Sequence, residues 1–139
     1  MPSARRRRRE SGGRDVTGVT FTLVALDCQD PAAVAEFYQG VLGGEISHDY
    51  EDWWVLREPG GARIAFQRAP GHRAPDWPRA DSNSQQAHLD LTVDDMAAAQ
   101  EKVLALGATA LDLDDDGGER GFRVYADPAG HPFCLCRAE

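Results

Sequence analysis

His88 and Asp90 are the two residues of this sequence whose types and spacing best fit chemistry. They stand two positions apart in the stretch HLDLTV, which alternates as a β-strand does, so both side chains point to one face. An imidazole oriented by a carboxylate acts as a general base, which makes the pair candidate catalytic residues. The other interpretation is structural, with each side chain forming a hydrogen bond across a boundary within the fold. The sequence leaves both interpretations open.

Cys134 and Cys136 form a second pair with strand spacing, close to the C-terminus. A thiolate from Cys134 could bind a soft ion such as zinc together with His88, whereas small cysteines on a strand are more often simply packed. We therefore favour a site without a metal or other cofactor and keep a divalent metal ion as the alternative. With Cys28, the chain has 3 cysteines. A small and odd number of cysteines does not suit a disulfide framework, and it fits a protein of the reducing cytoplasm.

Aromatic residues are concentrated in the first half of the chain and in the segment after it. Trp53 and Trp54 are adjacent, so in a strand one faces the core and the other faces the opposite side. Trp77 lies in a segment rich in proline, 69–85, where it is either a lid over a pocket or a surface clamp.

Arg63 and Gln67 have the spacing that places two side chains on one face of a strand. On a ligand-facing surface Arg63 would hold an anionic group, and on an outer surface it would form a salt bridge. The candidate ligand-binding residues are Trp53, Arg63, Gln67, Trp77 and Cys134.

The elements that must position these residues occur twice along the chain. The stretch LVALDCQD, residues 23–30, has a partner of equal length in HLDLTVDD, residues 88–95. Each alternates like a strand, ends in an acid that can cap a helix, and precedes a run rich in alanine that ends near a glycine. The pattern indicates an internal duplication.

Turn residues divide the rest of each half into short strands. The predicted order is strand 19–27, helix from Pro31 to Gly43 with Asp30 as N-cap, strands 45–50, 53–57 and 62–68, then strand 87–93, helix 95–106 capped by Asp94, and strands 109–113, 122–126 and 132–137. Asp114, Asp115 and Asp116 form a solvated acidic turn in this prediction, because the remaining ligands of a calcium loop are missing. Each half reads βαβββ.

The fold class is therefore α+β, with two tandem βαβββ modules, 16–68 and 86–139, forming a concave cleft of mixed sheet within a single domain, 16–139. Residues 69–85 form the linker loop, and residues 1–15 form a disordered basic tail. Alternation divides the strand residues into two sets. The residues predicted to face the helices are Val24, Leu26, Leu89, Leu91, Val93, Phe133 and Leu135; those predicted to face the cleft are Leu23, Ala25, Asp27, His88, Asp90, Thr92, Cys134 and Cys136.

The duplicated order, with HLDLTVDD opening the second half and YADPAGHPFCL closing it, resembles the vicinal oxygen chelate superfamily. That superfamily includes glyoxalase I, extradiol dioxygenases, fosfomycin-resistance thiol transferases and bleomycin-resistance proteins. The resemblance implies metal ligands at Leu23, Gln67, His88 and Cys134, with Gln67 open to a shift of two residues. Leu23 cannot bind a metal, so the ligand set is degraded. The resemblance also implies a homodimer.

Charge separates the tail from the rest of the chain. Residues 1–15 contain six arginines and two acidic residues, which gives a net charge of +4. Because the net charge of the whole chain is −8, the remaining residues carry a net charge of −12. Such an acidic body does not favour nucleic acid, and no apolar run has the length of a membrane span. We expect a cytoplasmic protein with neither nucleic-acid nor membrane partners.

Our leading hypothesis is a glyoxalase-like protein that binds a small apolar or aromatic molecule, with drug sequestration of the bleomycin-resistance kind as one version. The alternative is a metal-dependent lyase, isomerase or dioxygenase of the same superfamily that uses His88. A structural dimer without a small ligand is the third hypothesis.

Overall fold

The computed structural model of the chain describes residues 16–76 and 84–138, so the basic tail and Trp77 lie outside the described residues. The elements are β1 (Val24–Cys28), α1 (Pro31–Leu42), β2 (Glu45–Tyr50), β3 (Trp53–Arg57), β4 (Arg63–Arg68), β5 (Leu89–Val93), α2 (Met96–Ala105), β6 (Thr109–Asp112), a short 3-10 helix (Asp116–Gly118), β7 (Phe122–Ala126) and β8 (Pro132–Arg137). The predicted βαβββ order is confirmed in both halves, and the 3-10 helix was not predicted.

Each module forms a four-stranded mixed sheet, and the two sheets have equivalent strand orders: β1-β4-β3-β2 and β5-β8-β7-β6. In both sheets the opening strand pairs parallel with the closing strand, and the other pairs are antiparallel. The opening strands β1 and β5 approach each other at the boundary between the modules, the seam, where residues of both line a cavity of about 60 Å³. The α+β fold with two modules is thus confirmed.

Both helices begin at an aspartate, as the sequence pattern requires. The side chain of Asp30 accepts a hydrogen bond from the backbone N–H of Ala33, and Pro31 takes the first helical position, as predicted. In the second module the predicted cap Asp94 is wrong by one residue: Asp95 accepts from the N–H of Ala98 at 3.0 Å and caps α2. Asp95 directly precedes Met96, the first helical residue, and has the extended backbone of an N-cap, whereas Asp94 lies one residue farther from the helix.

One apolar core serves both modules, because α1 packs on its own sheet and also reaches the second. The rings of Phe37 and Phe133 are 5.8 Å apart, and those of Tyr38 and Phe66 are stacked at 5.7 Å. The residues predicted to face the helices all belong to this core or pack against it. The helix of the first module therefore holds the closing strand of the second in place.

A buried polar contact also joins the modules. The Tyr38 hydroxyl donates to the Asp127 carboxylate at 2.8 Å, and Asp127 also accepts from the backbone N–H groups of Ala129 and His131. Asp127 is 3% exposed, so these bonds satisfy a carboxylate that water does not reach. The turn between β7 and β8 is thereby fixed against α1.

The acidic turn before β7 differs from the prediction. Asp115 is not solvated: it is 6% exposed, and its carboxylate accepts from Arg123 at 2.8 Å and from Arg137 at 2.6 Å. These hydrogen bonds hold the pKa of Asp115 below its usual value. The two arginines come from β7 and β8, so their approach depends on tertiary pairing that the local sequence does not reveal. No helix in 16–76 or 84–138 has the length and hydropathy needed to cross a membrane.

Candidate functional site

The face of each sheet that turns away from the helices carries the predicted cleft residues, and we call it the open face. In the second module, strand pairing places Asp90 beside Cys134 and Cys134 beside Val124. His88 directly precedes β5, and its Nε2 atom lies 3.1 Å from Oδ1 of the Asp90 carboxylate. The imidazole side chain is 38% exposed and the Asp90 side chain 64%. A ligand can therefore reach both groups from solvent.

His88, Asp90 and Cys134 form one cluster, whose ligand atoms all lie within 4.8 Å of one another. Their convergence follows from two features, the strand alternation that aligns His88 with Asp90 and the parallel pairing of β5 with β8 that adds Cys134. The cluster brings together an imidazole, a carboxylate and a thiol. Both candidate catalytic residues and one candidate ligand-binding residue thus share a single site.

The thiols of this site are held in the neutral form. Burial raises the pKa of Cys134 to about 12, and the negative charge of Asp90 and a hydrogen bond to it add to the shift. Burial and Asp90 also raise the pKa of Cys136, which lies on the same face beside Thr92. A thiol of this kind is a poor nucleophile at neutral pH, since the thiolate is the reactive form. The groups that can move a proton are His88 and Asp90.

Arg120 and Phe122 border the same face, and neither was among the site residues predicted from the sequence. The Arg120 guanidinium lies 4.6 Å from the centroid of the Phe122 ring and donates to Asp112 at 2.9 Å. Its positive charge also acts on the Cys134 thiol and opposes the rise in that pKa. Phe122 is 39% exposed, which offers a flat apolar surface beside the polar cluster. The only signal in the sequence was the alternation of β7, which places Phe122 on the face of Val124.

The first module has no corresponding cluster in the described residues. Strand register equates Leu23 with His88, Ala25 with Asp90, and Ala65 with Cys134. Gln67 therefore corresponds to Cys136 rather than to Cys134. The position equivalent to Cys134 is that of Ala65, two residues before Gln67, so the alternative alignment with a shift of two residues is the observed one. Gln67 lies exposed between Asp27 of β1 and Trp53 of β3. It belongs to the open face of the first module and is not part of the cluster.

Trp53 and Trp54 divide between the two faces as expected. Trp54 packs against the core and stacks on the His48 ring at 4.2 Å, whereas Trp53 lies half-buried on the open face. The register makes Trp53 the counterpart of Phe122, since each neighbours the same position of the closing strand. Each module thus presents one aromatic ring on its open face.

Arg63 lines a larger pocket at the seam between the modules. The pocket has a volume of about 430 Å³ and is bounded by the lead-in to β1, the turn between β3 and β4, and β5. Asp90 contributes to its wall, so the pocket adjoins the cluster. Within 16–76 and 84–138, Arg63 has no ion-pair partner, which does not agree with a surface salt bridge.

The residues present fit a metal ion poorly in one arrangement and better in another. A site that takes its ligands from both modules fails, because Leu23 and Ala65 offer no donor atom. His88, Asp90 and Cys134 offer N, O and S donors from the second module alone, which is a set that zinc accepts. Binding would have to displace the proton of the Cys134 thiol.

Comparison with known proteins places the chain in a family. The profile of the glyoxalase-like domain matches residues 23–136. A search of curated protein sequences found no match.

Solved structures agree in fold. The fosfomycin resistance protein FosX from Listeria monocytogenes aligns with a TM-score of 0.66 at 13% identity, covering 87% of this chain and 92% of that one. A glyoxalase/bleomycin resistance protein from Albidiferax ferrireducens gives 0.60 at 16%, with 86% and 98% covered. The oxidase ChaP-H2 gives 0.58 at 17%, with 88% and 95% covered. The profile match and the shared architecture together show that this chain belongs to the glyoxalase-like domain family of the vicinal oxygen chelate superfamily.

Proposed function

We propose that this protein binds a small apolar or aromatic molecule without needing a metal ion, and that His88 and Asp90 orient the ligand. The observation that carries the proposal is the lack of metal-binding donor atoms in the first module. There, Leu23 and Ala65 occupy the positions equivalent to His88 and Cys134. Their apolar side chains suit contact with a ligand and do not suit coordination. Drug sequestration of the bleomycin-resistance kind is one version of this function.

The surroundings of the cluster support such a ligand. The exposed Phe122 ring lies on the same face, and Trp53 occupies the equivalent position in the first module. His88 and Asp90 are accessible and already joined, so they can donate and accept hydrogen bonds without first reorganising. Gln67, exposed on the open face of the first module, is a further proposed contact. The lid role expected for Trp77 lies outside the described residues.

A thermal-shift screen of aromatic and peptide-derived compounds, followed by calorimetric titration, tests this function, because any ligand of the native state raises its melting temperature. Asp90→Asn should weaken binding of a confirmed hit about tenfold or more, as expected for loss of a hydrogen bond to a charged group. Asp94→Asn is the matched control, since Asp94 is an exposed aspartate of the same segment outside the cluster. Equal affinities of the two variants would contradict the proposed role of Asp90.

A second candidate is a metal-dependent lyase, isomerase or dioxygenase, and the convergence of three donor atoms within 4.8 Å favours it. Elemental analysis of protein purified without chelator tests this candidate. A stoichiometric transition metal that is lost in Cys134→Ser and kept in Cys136→Ser would establish the metal site and overturn the metal-free proposal. Cys136 is a suitable control because it lies on the same strand face but outside the three-residue cluster.

Homodimerisation and a cytoplasmic location are also proposals. Val19 and Phe21, 71% and 87% exposed, precede β1 and would gain from a second copy that covers them. Sedimentation velocity across a range of protein concentrations measures the oligomeric state directly, and a monomer at every concentration would contradict the dimer.

A further inference from the structure

The seam pocket differs in character from the polar cluster that it adjoins. Its wall contains Val24, Leu42, Ile64, Leu89 and Leu91, with Phe21 at the rim. These apolar residues lie where β1 and β5 approach without pairing in the described sheets, which leaves space between the two module edges. A volume of about 430 Å³ is within the range of small-molecule sites.

Charged groups at the pocket differ in whether they already have partners. The Glu58 carboxylate accepts the backbone N–H of Ala62 at 2.8 Å within its own turn. Asp90 is engaged by His88 at 3.1 Å and by the Cys134 thiol. Arg63 has no ion-pair partner among residues 16–76 and 84–138, although it is half-buried. Arg63 is therefore the one charged side chain of this wall with neither a hydrogen-bond nor an ion-pair partner among residues 16–76 and 84–138.

The strand next to Arg63 provides a second, independent observation. Strand pairing sets Arg57 directly opposite Arg63, so two guanidinium groups share one face of the sheet. Like charges in directly opposed positions destabilise a sheet unless a negative group lies between or beside them. Glu45 lies opposite Arg57 on β2, on the side away from Arg63, so the acidic residue of this row is nearer to Arg57 than to Arg63. An anion bound at Arg63 would relieve this repulsion.

We infer that the seam pocket binds a small amphipathic carboxylate, with the carboxylate paired to the Arg63 guanidinium and the apolar body against Val24, Ile64 and Leu89. Guanidinium groups hold carboxylates through two parallel hydrogen bonds, which fixes the ligand's orientation as well as its charge. This inference rests on the proposed function and names its ligand class. The pocket borders Asp90, so the body of such a ligand lies next to the polar cluster.

The experiment compares three probes that share one chain and differ in head group: octanoate, octan-1-ol and octylamine. Calorimetric titration of the wild-type protein should show octanoate binding about tenfold or more tightly than octan-1-ol, as expected for hydrogen bonds between charged groups. Octylamine should bind more weakly than either. Octan-1-ol binding as tightly as octanoate, octylamine binding best, or no binding of octanoate would each overturn the inference.

Variants then assign the effect to one residue. Arg63→Gln should reduce octanoate affinity to the level of octan-1-ol and leave octan-1-ol binding unchanged. Arg57→Gln is the matched control, because Arg57 is the opposed arginine of the neighbouring strand and does not line the pocket. Equal losses in both variants would contradict the inference. If octanoate fails while a compound from the thermal-shift screen binds in a manner dependent on Asp90, the ligand class is wrong and the proposed function stands.

Discussion

The two modules share one backbone plan and differ in what they place on it. In the central row of the open face, the first module has Ala25, Ala65 and Val55, whereas the second has Asp90, Cys134 and Val124. The first module has the more deeply buried helix: α1 buries five residues, including Phe37 and Tyr38, whereas α2 buries two. The helix of the first module thus supplies more of the core, and the open face of the second carries more polar side chains.

A duplicated fold can thus carry different side chains at equivalent positions. Once α1 packs against both sheets, the second module is held in place by contacts with the first, such as that of Tyr38 with Asp127. Polar side chains in the second module then cost less stability than they would in a module that had to fold alone. Equivalent changes in the two modules should therefore have unequal effects.

The largest expected effect concerns the equivalent turns before the closing strands. Asp127→Ala leaves the Tyr38 hydroxyl and two backbone N–H groups without their acceptor, which should cost roughly 3 kcal/mol or more in the free energy of unfolding. Glu58→Ala at the equivalent turn should cost much less, since the hydrogen bond from the Ala62 N–H to that carboxylate is exposed to solvent. Urea unfolding measures both variants, and equal losses would show that the two turns contribute alike.

Next in size is the contrast between the adjacent tryptophans. Trp54→Ala removes a side chain that packs against the core and stacks on His48, and should cost about 2 kcal/mol, which is below the value for a fully buried ring. Trp53→Ala should cost less than half as much, because that ring lies on the open face. The same unfolding assay applies, and a larger loss for Trp53 would mean that Trp53, not Trp54, packs against the core.

An effect that is smaller per pH unit should appear only at alkaline pH. The raised pKa of Cys134, about 12 against an ordinary 9.0, means that above pH 9 the unfolded chain ionises this thiol while the native state does not. Stability should therefore be intact below pH 9 and fall by about 1.4 kcal/mol per pH unit towards pH 12 on account of this thiol. Cys134→Ala, which copies Ala65, should remove that contribution to the slope.

Cys28 provides the comparison for this experiment. Its pKa is raised to about 11, chiefly by burial, so it adds its own alkaline loss over a narrower range. Cys28→Ala should therefore reduce the slope up to about pH 11, and Cys134→Ala up to about pH 12. An unchanged slope in Cys134→Ala between about pH 9 and pH 11 would show that this thiol ionises equally in both states.

The smallest expected effect on stability comes from His88→Leu combined with Asp90→Ala, which gives the second module the residues of the first. Both side chains are substantially exposed, so the free energy of unfolding should change by less than about 1 kcal/mol. A loss of several kcal/mol would instead favour the structural interpretation, in which the pair stabilises the seam.

Local sequence signals were sufficient for most of the fold. The bounds of β2, β3, β7 and β8 are those predicted, because turn residues flank each of them. β1 was predicted too long, since Val19 to Leu23 look like a strand but only Val24–Cys28 pair with β4. Asp94 and Asp95 are chemically identical caps, and the choice between them depends on where the helix begins.

The site was predictable only in part, because its members meet through strand pairing. Alternation was enough to place His88 with Asp90, but the approach of Asp90 to Cys134 needs the register of β5 against β8. The shift of two residues from Gln67 has a signal in the sequence: Glu58 and Asp127 are equivalent turn acids, and the seventh residues after them are Ala65 and Cys134. Nothing in the local sequence indicated that Arg120 covers Phe122 or that Arg63 has no ion-pair partner within 16–76 and 84–138.

The most direct test is a calorimetric titration of a ligand identified by the thermal-shift screen into wild-type protein, into His88→Leu/Asp90→Ala, and into Leu23→Ala/Ala25→Ser. The last variant changes the equivalent positions of the first module. We predict that the second-module variant loses binding by about tenfold or more, as expected when a charged hydrogen-bonding pair is removed, whereas the first-module variant keeps most of it. Equal affinities for all three proteins, each with native stability, would contradict the assignment of ligand recognition to the second module.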